Sequence, residues 1–284
     1  MRPKETSYAY GDRSQQKMLE KYRNRANNHW KRRIELAQQL VAEHITPRHP
    51  DRAPKDIVVV DVGCSIGTFA LEFARLGYRC YGVDFDPAAI TIGRALAQEE
   101  NSVVEFLEMD VADWSKRGLP PVDIAICFDI FEHLHDDEIG ALLQALKRSM
   151  PPEGRVVFST TPTQYSYLWA GGSFKLALLR RATLAFTWLR PSIFRRYVRA
   201  LAALMDVVYL MQRGKNHREL IKREKHCNPL SRERLEDIFA RAGFRFDYVA
   251  TSNLHPGQNP LYKRLDRHPA LHSHIYGVAH VAPV

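Results

Sequence analysis

The sequence predicts an α/β protein: a doubly wound, Rossmann-like sheet of seven strands, with N-terminal helices and a helical insertion after the fifth strand. Three observations predict it. Ile57-Val58-Val59-Val60, closed by Asp61, is a β-branched run suited to a strand buried on both faces of a parallel sheet. Gly63-Cys64-Ser65-Ile66-Gly67 then forms a tight glycine turn that leads into a helical pattern and a second strand ending in Asp84. Strand and helix patterns alternate from there to Ser159, which implies right-handed crossovers.

The elements follow in order. Residues 1–13 read as an arm. From Ser14 to about Ile45 the pattern is helical, with an apolar stripe strongest after Trp30 and Lys31-Arg32-Arg33 crowding one turn. Pro47, Pro50 and Pro54 mark the linker into the first strand. The first crossover helix places Phe69, Ala70, Phe73, Ala74 and Leu76 on one face, and Gly77 stops it. Arg79 to Val83 is the second strand. Pro87 opens the next helix, which runs to about Gln98. Val103 to Leu107 is the third strand, followed by Asp110. Val122 to Phe128 is the fourth, and acidic Asp136-Asp137-Glu138 opens the helix after it. Arg155 to Ser159 is the fifth strand. Ser231 caps a further helix, Phe244 to Ala250 is the sixth strand, and His274 to Val281 is the last.

The glycine turn lies at the carboxyl end of a strand, where open α/β sheets bind ligands. Gly63 and Gly67 let the backbone turn sharply and let a ligand approach closely. The following helix N-terminus presents free N–H groups. Asp84 can accept hydrogen bonds from a ribose diol. The dinucleotide fingerprint G-x-G-x-x-G and the P-loop pattern are both absent.

Asp61-x-Gly63-x-Ser65-x-Gly67 resembles motif I of class I S-adenosylmethionine-dependent methyltransferases, with serine at the middle glycine. Val83-Asp84-Phe85-Asp86-Pro87 looks like that family's ribose-binding acid with its usual tail. Met109-Asp110-Val111 looks like its adenine-contacting motif. Ala125 to Leu134, AICFDIFEHL, is similar to the fourth-strand motif of small-molecule methyltransferases related to the ubiquinone-biosynthesis O-methyltransferases. Ala242-Gly243-Phe244 also resembles the family. The resemblance covers roughly 57–161 and 230–249. It implies S-adenosyl-L-methionine as cofactor, strand order 3-2-1-4-5-7-6 with the last strand antiparallel, and Asp61, Gly63, Cys64, Ser65, Gly67, Asp84, Phe85, Asp110, Val111 and Asp129 as the cofactor site.

Methyl transfer from a sulfonium is an in-line displacement, so the protein mainly aligns the partners and, for a hydroxyl, removes a proton. Glu132 and His133, just after the fourth strand, are the candidate catalytic residues. His133 has a pKa suited to proton abstraction. The pair can instead hold a divalent metal, as in some relatives, or simply cap the loop. His272-x-His274 and His226-Cys227 lack a second pair at zinc-ligand spacing, so no metal site is expected.

The net charge of +9 is uneven. Residues 57–161 carry −9, residues 1–56 carry +6 and residues 162–227 carry +10. The expected organisation is therefore a basic helical segment over 1–56 and a methyltransferase domain over 57–284, with the insertion at 162–227. Within the insertion, Phe194, Tyr197, Val198, Leu201, Leu204, Met205 and Val208 form an amphipathic stripe flanked by Arg195, Arg196 and Arg199. Residues 174–211 are expected to cover the acceptor pocket and to rest on an anionic membrane surface. Four scattered cysteines, no signal-like apolar region and no 18-residue uncharged run point to a cytoplasmic protein, peripheral at most to the inner face of a membrane. The expected acceptor is a small or lipid-like molecule, methylated at oxygen. An RNA methyltransferase using the basic insertion, and a cofactor-binding protein without transfer activity, are the alternatives.

Overall fold

A computed structural model describes residues 12–27, 29–161, 163, 181–183, 185–186, 188–190, 192–201, 228, 230–253 and 266–283. Much of the predicted insertion, including Phe174, the stripe beyond Leu201 and Cys227, lies outside the described residues.

Seven strands form one sheet: β1 (Val58–Val62), β2 (Arg79–Asp84), β3 (Val104–Glu108), β4 (Ile124–Phe128), β5 (Arg155–Thr160), β6 (Phe244–Ser252) and β7 (His274–Val281). Their order is β3-β2-β1-β4-β5-β7-β6. The first five are parallel, and β7 runs antiparallel between β5 and β6. Both the order and the reversed last strand match expectation. β1 and β4 are buried at every residue, which is why their sequences are continuous apolar runs rather than alternating ones.

Helices α1 (Asp12–Arg23), α2 (His29–His44), α3 (Thr68–Arg75), α4 (Pro87–Glu99), α5 (Asp136–Ser149) and α6 (Arg232–Arg241) flank the sheet. The predicted N-terminal helical region is two helices. It breaks around Asn24, whose carbonyl accepts from Asn27 N–H in a tighter turn over Arg25–Asn27. α2 is part of the sheet's packing. Ile34, Ala37, Leu40, Val41 and Ile45 join Val59, Phe69, Phe73, Ile126, Val157 and Val278 in one apolar cluster. α1 packs elsewhere, with Tyr22 in a cluster with Cys64, Ile66, Ile90 and Phe106. Tyr22 Oη donates to Glu100 at 2.8 Å, and Arg25 pairs with Glu72 at 2.5 Å, tying α1 to α3 and α4. On the opposite face, α5 and α6 bring Leu143, Leu146, Leu235 and Phe239 against Phe131, Phe158 and Phe244.

The caps follow the residues. Asp86 caps α4 by accepting from Ala88 N–H at 3.0 Å, with Pro87 as the first helical residue. Ser231 caps α6 by accepting from Arg234 N–H at 3.2 Å. Gly77, at φ +87°, ends the turn after α3.

Candidate active site

The site is built along the carboxyl ends of β1 to β5. At β1, three residues in five adopt left-handed backbone: Gly63 at φ +66°, Ser65 at φ +49° and Gly67 at φ +82°. A Cβ on Gly63 would lie 2.8 Å from Ile130 Cδ1, in the loop after β4. A Cβ on Gly67 would collide with the ring of Phe106 from β3. The same ring lies 2.7 Å from a Cβ placed on Gly82 or on Gly93. Gly67 is therefore glycine as much for Phe106 beneath the loop as for a ligand above it. Ser65 has no such freedom, and its conformation is held by its N–H, which donates to Asp84 Oδ2 at 2.7 Å. Cys64 N–H donates to Val83 O at 3.0 Å, and its thiol is buried.

Asp61 lies under this loop. It is 3% exposed, and its Oδ2 accepts from Ala70 N–H at 3.1 Å in the first turn of α3. Burial pushes its carboxyl up to about 7, and the nearby charge of Asp84 adds to the shift. Asp84, at the tip of β2, is 9% exposed. Its Oδ1 accepts from Asp86 N–H at 2.9 Å. Burial raises its pKa above the usual carboxylate range, against the pull of these amide bonds. Phe85 beside it leaves 48% of its surface exposed. Asp110 caps the short turn Val111–Asp113, its Oδ1 accepting from Ala112 N–H at 2.9 Å, while Val111 is buried. Met109 N–H donates to Asp84 O at 3.0 Å, which draws the ends of β2 and β3 together.

These residues fit the adenosyl cofactor that the resemblance implies. Asp84 Oδ2 accepts from Ser65 N–H and Oδ1 from Asp86 N–H, and a carboxylate has the lone pairs to accept diol hydroxyls as well. Gly63 has no Cβ to obstruct the cradle, and Phe85 offers an exposed aromatic face to a purine.

A second, polar layer occupies the ends of β4 and β5 and the start of β7. Asp129 adopts φ +54°, and its N–H donates to Ser159 O at 2.9 Å. Its Oδ2 pairs with Arg33 Nε of α2 at 3.1 Å, while Oδ1 is buried without a hydrogen-bond partner among the described residues. Burial raises the Asp129 pKa, opposed by Arg33 and His133. Arg33 also lies over Trp30, 5.6 Å from the ring centre, and Trp30 meets Phe69 edge-on. Glu132 is 1% exposed; its Oε2 accepts from Thr160 Oγ1 at 2.8 Å, and its carbonyl accepts from Asn228 N–H at 3.0 Å. Burial, with the Asp129 charge adding, pushes the Glu132 carboxyl up to about 8. His133 sits half-buried in the turn Phe131–His133, close enough for its charge to lower the pKa of both carboxyls.

Two residues of this layer escape sequence reasoning. Arg33 is one of three adjacent cations; Lys31 and Arg32 are exposed, and only Arg33 turns inward. In the sequence, His274 is the first residue of the last strand and half of a zinc-like pair. It is 1% exposed, with Nε2 2.8 Å from Ser159 Oγ and Nδ1 3.2 Å from Ser252 Oγ. Burial, with a contribution from Arg33, pushes its pKa down to about 3, so the ring is neutral at ordinary pH. The one available signal was Ser159-Thr160, a polar pair closing an apolar strand. Among the described residues, no group of three His, Cys, Asp or Glu side chains is placed to hold a metal ion.

A family model described as a methyltransferase domain matches residues 29–249. A ubiquinone biosynthesis O-methyltransferase of Acinetobacter baumannii is 31% identical over 139 residues, covering 47% of this chain. The chain spans 58% of that relative's length. A plantazolicin methyltransferase solved with SAH superposes with a TM-score of 0.56 at 14% identity, over 98% of this chain and 94% of the other. Magnesium protoporphyrin IX methyltransferase from Synechocystis, also with SAH, gives 0.53 at 14% identity over 94% of each chain. At such identities the two structures speak for the fold alone.

Proposed function

The chain belongs to the methyltransferase-domain family, and from that premise we propose that it transfers a methyl group from S-adenosylmethionine to an oxygen of a small-molecule or lipid-like acceptor. One observation supports the reading: the Gly63–Gly67 loop, tied to Asp84 through Ser65 N–H, packs so closely on the loop after β4 that carries Glu132 and His133 that a Cβ on Gly63 would lie 2.8 Å from Ile130 Cδ1. The relatives' name, an O-methyltransferase of ubiquinone biosynthesis, supports oxygen as the nucleophile and a small molecule as the acceptor.

When bound, S-adenosylmethionine supplies a methyl group already activated on a sulfonium. The chain's own residues have two tasks. The first is alignment: Asp84 and the loop amides hold the adenosyl end, while the Arg33–Asp129 pair ties α2 to the loop after β4. The second is proton removal. Burial raises the Glu132 pKa and favours its protonated form, so Glu132, which accepts from Thr160 Oγ1, is the poorer candidate for taking the proton. Neutral His274 has both nitrogens engaged by serines. His133, half-buried in the turn after β4 and close enough to both carboxyls to lower their pKa, is the candidate to accept the acceptor's hydroxyl proton.

Turnover with labelled S-adenosylmethionine against phenolic and polyprenylated hydroxyl acceptors tests this. His133→Ala should slow transfer by about 10²–10⁴-fold with S-adenosylhomocysteine binding intact. A variant at wild-type rate removes His133 from the mechanism. Methyl incorporation into RNA and not into these acceptors overturns the acceptor class.

A further inference from the structure

The described part of the insertion carries an amphipathic surface with two different faces. Helix 192–201 buries Phe194 and Val198 completely, and the Phe194 ring lies 4.8 Å from His268, shortly before β7. That part of the stripe is therefore satisfied by protein. The outward side is a different set of residues. Trp188 is 75% exposed, Ile193 51% and Phe186 39%. Exposed Arg181, Arg190, Arg195, Arg196 and Arg199 lie around them in the sequence. Between Glu153 and Asp206 the sequence contains no acidic residue. A strongly exposed tryptophan with an exposed isoleucine, set among arginines on a segment that carries no carboxylate of its own, has the chemistry of an interfacial segment, while Arg199 at its end pairs with Glu233 of α6 at 3.0 Å.

The placement matches. The chain leaves β5 beside the polar layer, where Thr161 Oγ1 donates to Ser273 O at 2.9 Å and Thr163 Oγ1 donates to His272 O at 2.8 Å. It returns at Leu230, which bridges to Thr163. The segment is thus rooted at both ends on the carboxyl edge of the sheet, where an acceptor enters.

We propose that Phe186, Trp188 and Ile193, with Arg190 and Arg196, form a docking surface for an anionic lipid bilayer. The apolar side chains enter the acyl boundary and the arginines pair with phosphate headgroups. Bilayer rather than nucleic acid is favoured by the aliphatic Ile193, which offers a base nothing to stack on or hydrogen-bond to. Among the described residues no helix is long and apolar enough to cross a membrane. This surface rests on the proposed function only for its use, in bringing the site to a lipid-like acceptor.

Co-sedimentation of the full chain with vesicles tests it, using phosphatidylcholine alone and phosphatidylcholine containing phosphatidylglycerol. Binding is expected only to the anionic vesicles, and it should weaken as salt rises. Arg190→Glu with Arg196→Glu should weaken binding by about 25-fold or more, roughly fivefold for each arginine lost. Trp188→Ala with Ile193→Ala should weaken it at unchanged net charge. S-adenosylhomocysteine binding, measured on the same samples, should be unaltered in both variants. Failure to bind anionic vesicles at low salt, equal binding to neutral ones, or variants that bind like wild type would each overturn the proposal. So would tighter binding to RNA than to vesicles, or a dimer that Trp188→Ala dissociates. Loss of cofactor binding in the wild-type chain would instead count against the proposed function.

Discussion

Replacing Asp61 by asparagine isolates the cost of holding a carboxyl beneath the glycine loop. Asp61 is 3% exposed, so solvent screens it little. Its pKa rises from 3.8 to about 7 on folding, chiefly through burial. Between those values the folded chain keeps a proton that the unfolded chain has released. Stability therefore falls as pH rises, and the penalty is complete above the folded pKa. At about 1.4 kcal/mol per pH unit, the interval sets a ceiling of about 4 kcal/mol. Asparagine can still accept from Ala70 N–H, but its amide protons need partners, a cost of about 1–3 kcal/mol that does not depend on pH. The informative quantity is thus the difference in urea-unfolding free energy between Asp61→Asn and wild type at two pH values. From about pH 5 to about pH 8.5 it should move by about 3 kcal/mol in the variant's favour. A difference that stays flat with pH would refute the reasoning, whatever its absolute value.

Two further substitutions test the site's architecture. Gly67→Ala forces a side chain into left-handed backbone and against Phe106, and should cost about 2–4 kcal/mol by chemical denaturation; adding Phe106→Leu should restore the part due to the collision, and no recovery would assign the whole cost to the backbone. Arg33→Ala strands the Asp129 carboxylate in a mostly buried position and should cost about 2–3 kcal/mol; Arg33→Ala with Asp129→Asn should be markedly more stable than Arg33→Ala alone, and additive losses would show that the pair is not coupled.

What the sequence makes legible follows from what is local. Ile57 to Asp84 carries its own fold: a β-branched run can only be a buried strand, and Gly63 and Gly67 can only serve where positive φ or close approach is needed. Asp84 is legible because it terminates a strand at a spacing set by one helix. The break near Asn24 is less legible: the apolar stripe is interrupted between Tyr22 and Trp30, but the interruption alone does not say that the backbone turns there. Arg33 and His274 are illegible for another reason. They come from opposite ends of the chain and meet near Asp129 and Ser159 only after α2 packs on the sheet and β7 inserts between β5 and β6. Nothing in Lys31-Arg32-Arg33 marks which cation turns inward. Phe106 teaches the same lesson for glycines: Gly67, Gly82 and Gly93 are far apart in sequence, yet one aromatic ring explains the missing side chain at all three.

The central claim is that the loop Gly63–Gly67 and Asp84 hold the adenosyl end of S-adenosylmethionine. Titration calorimetry with S-adenosylhomocysteine tests it without knowledge of the acceptor. The account predicts saturable binding by the wild-type chain and no heat with NAD. It also predicts a loss of about 2 kcal/mol or more in Asp84→Ala, from charge-assisted hydrogen bonds worth about 1.5–3 kcal/mol each. No heat with S-adenosylhomocysteine, or an Asp84→Ala chain that binds it as tightly as wild type, would contradict the account.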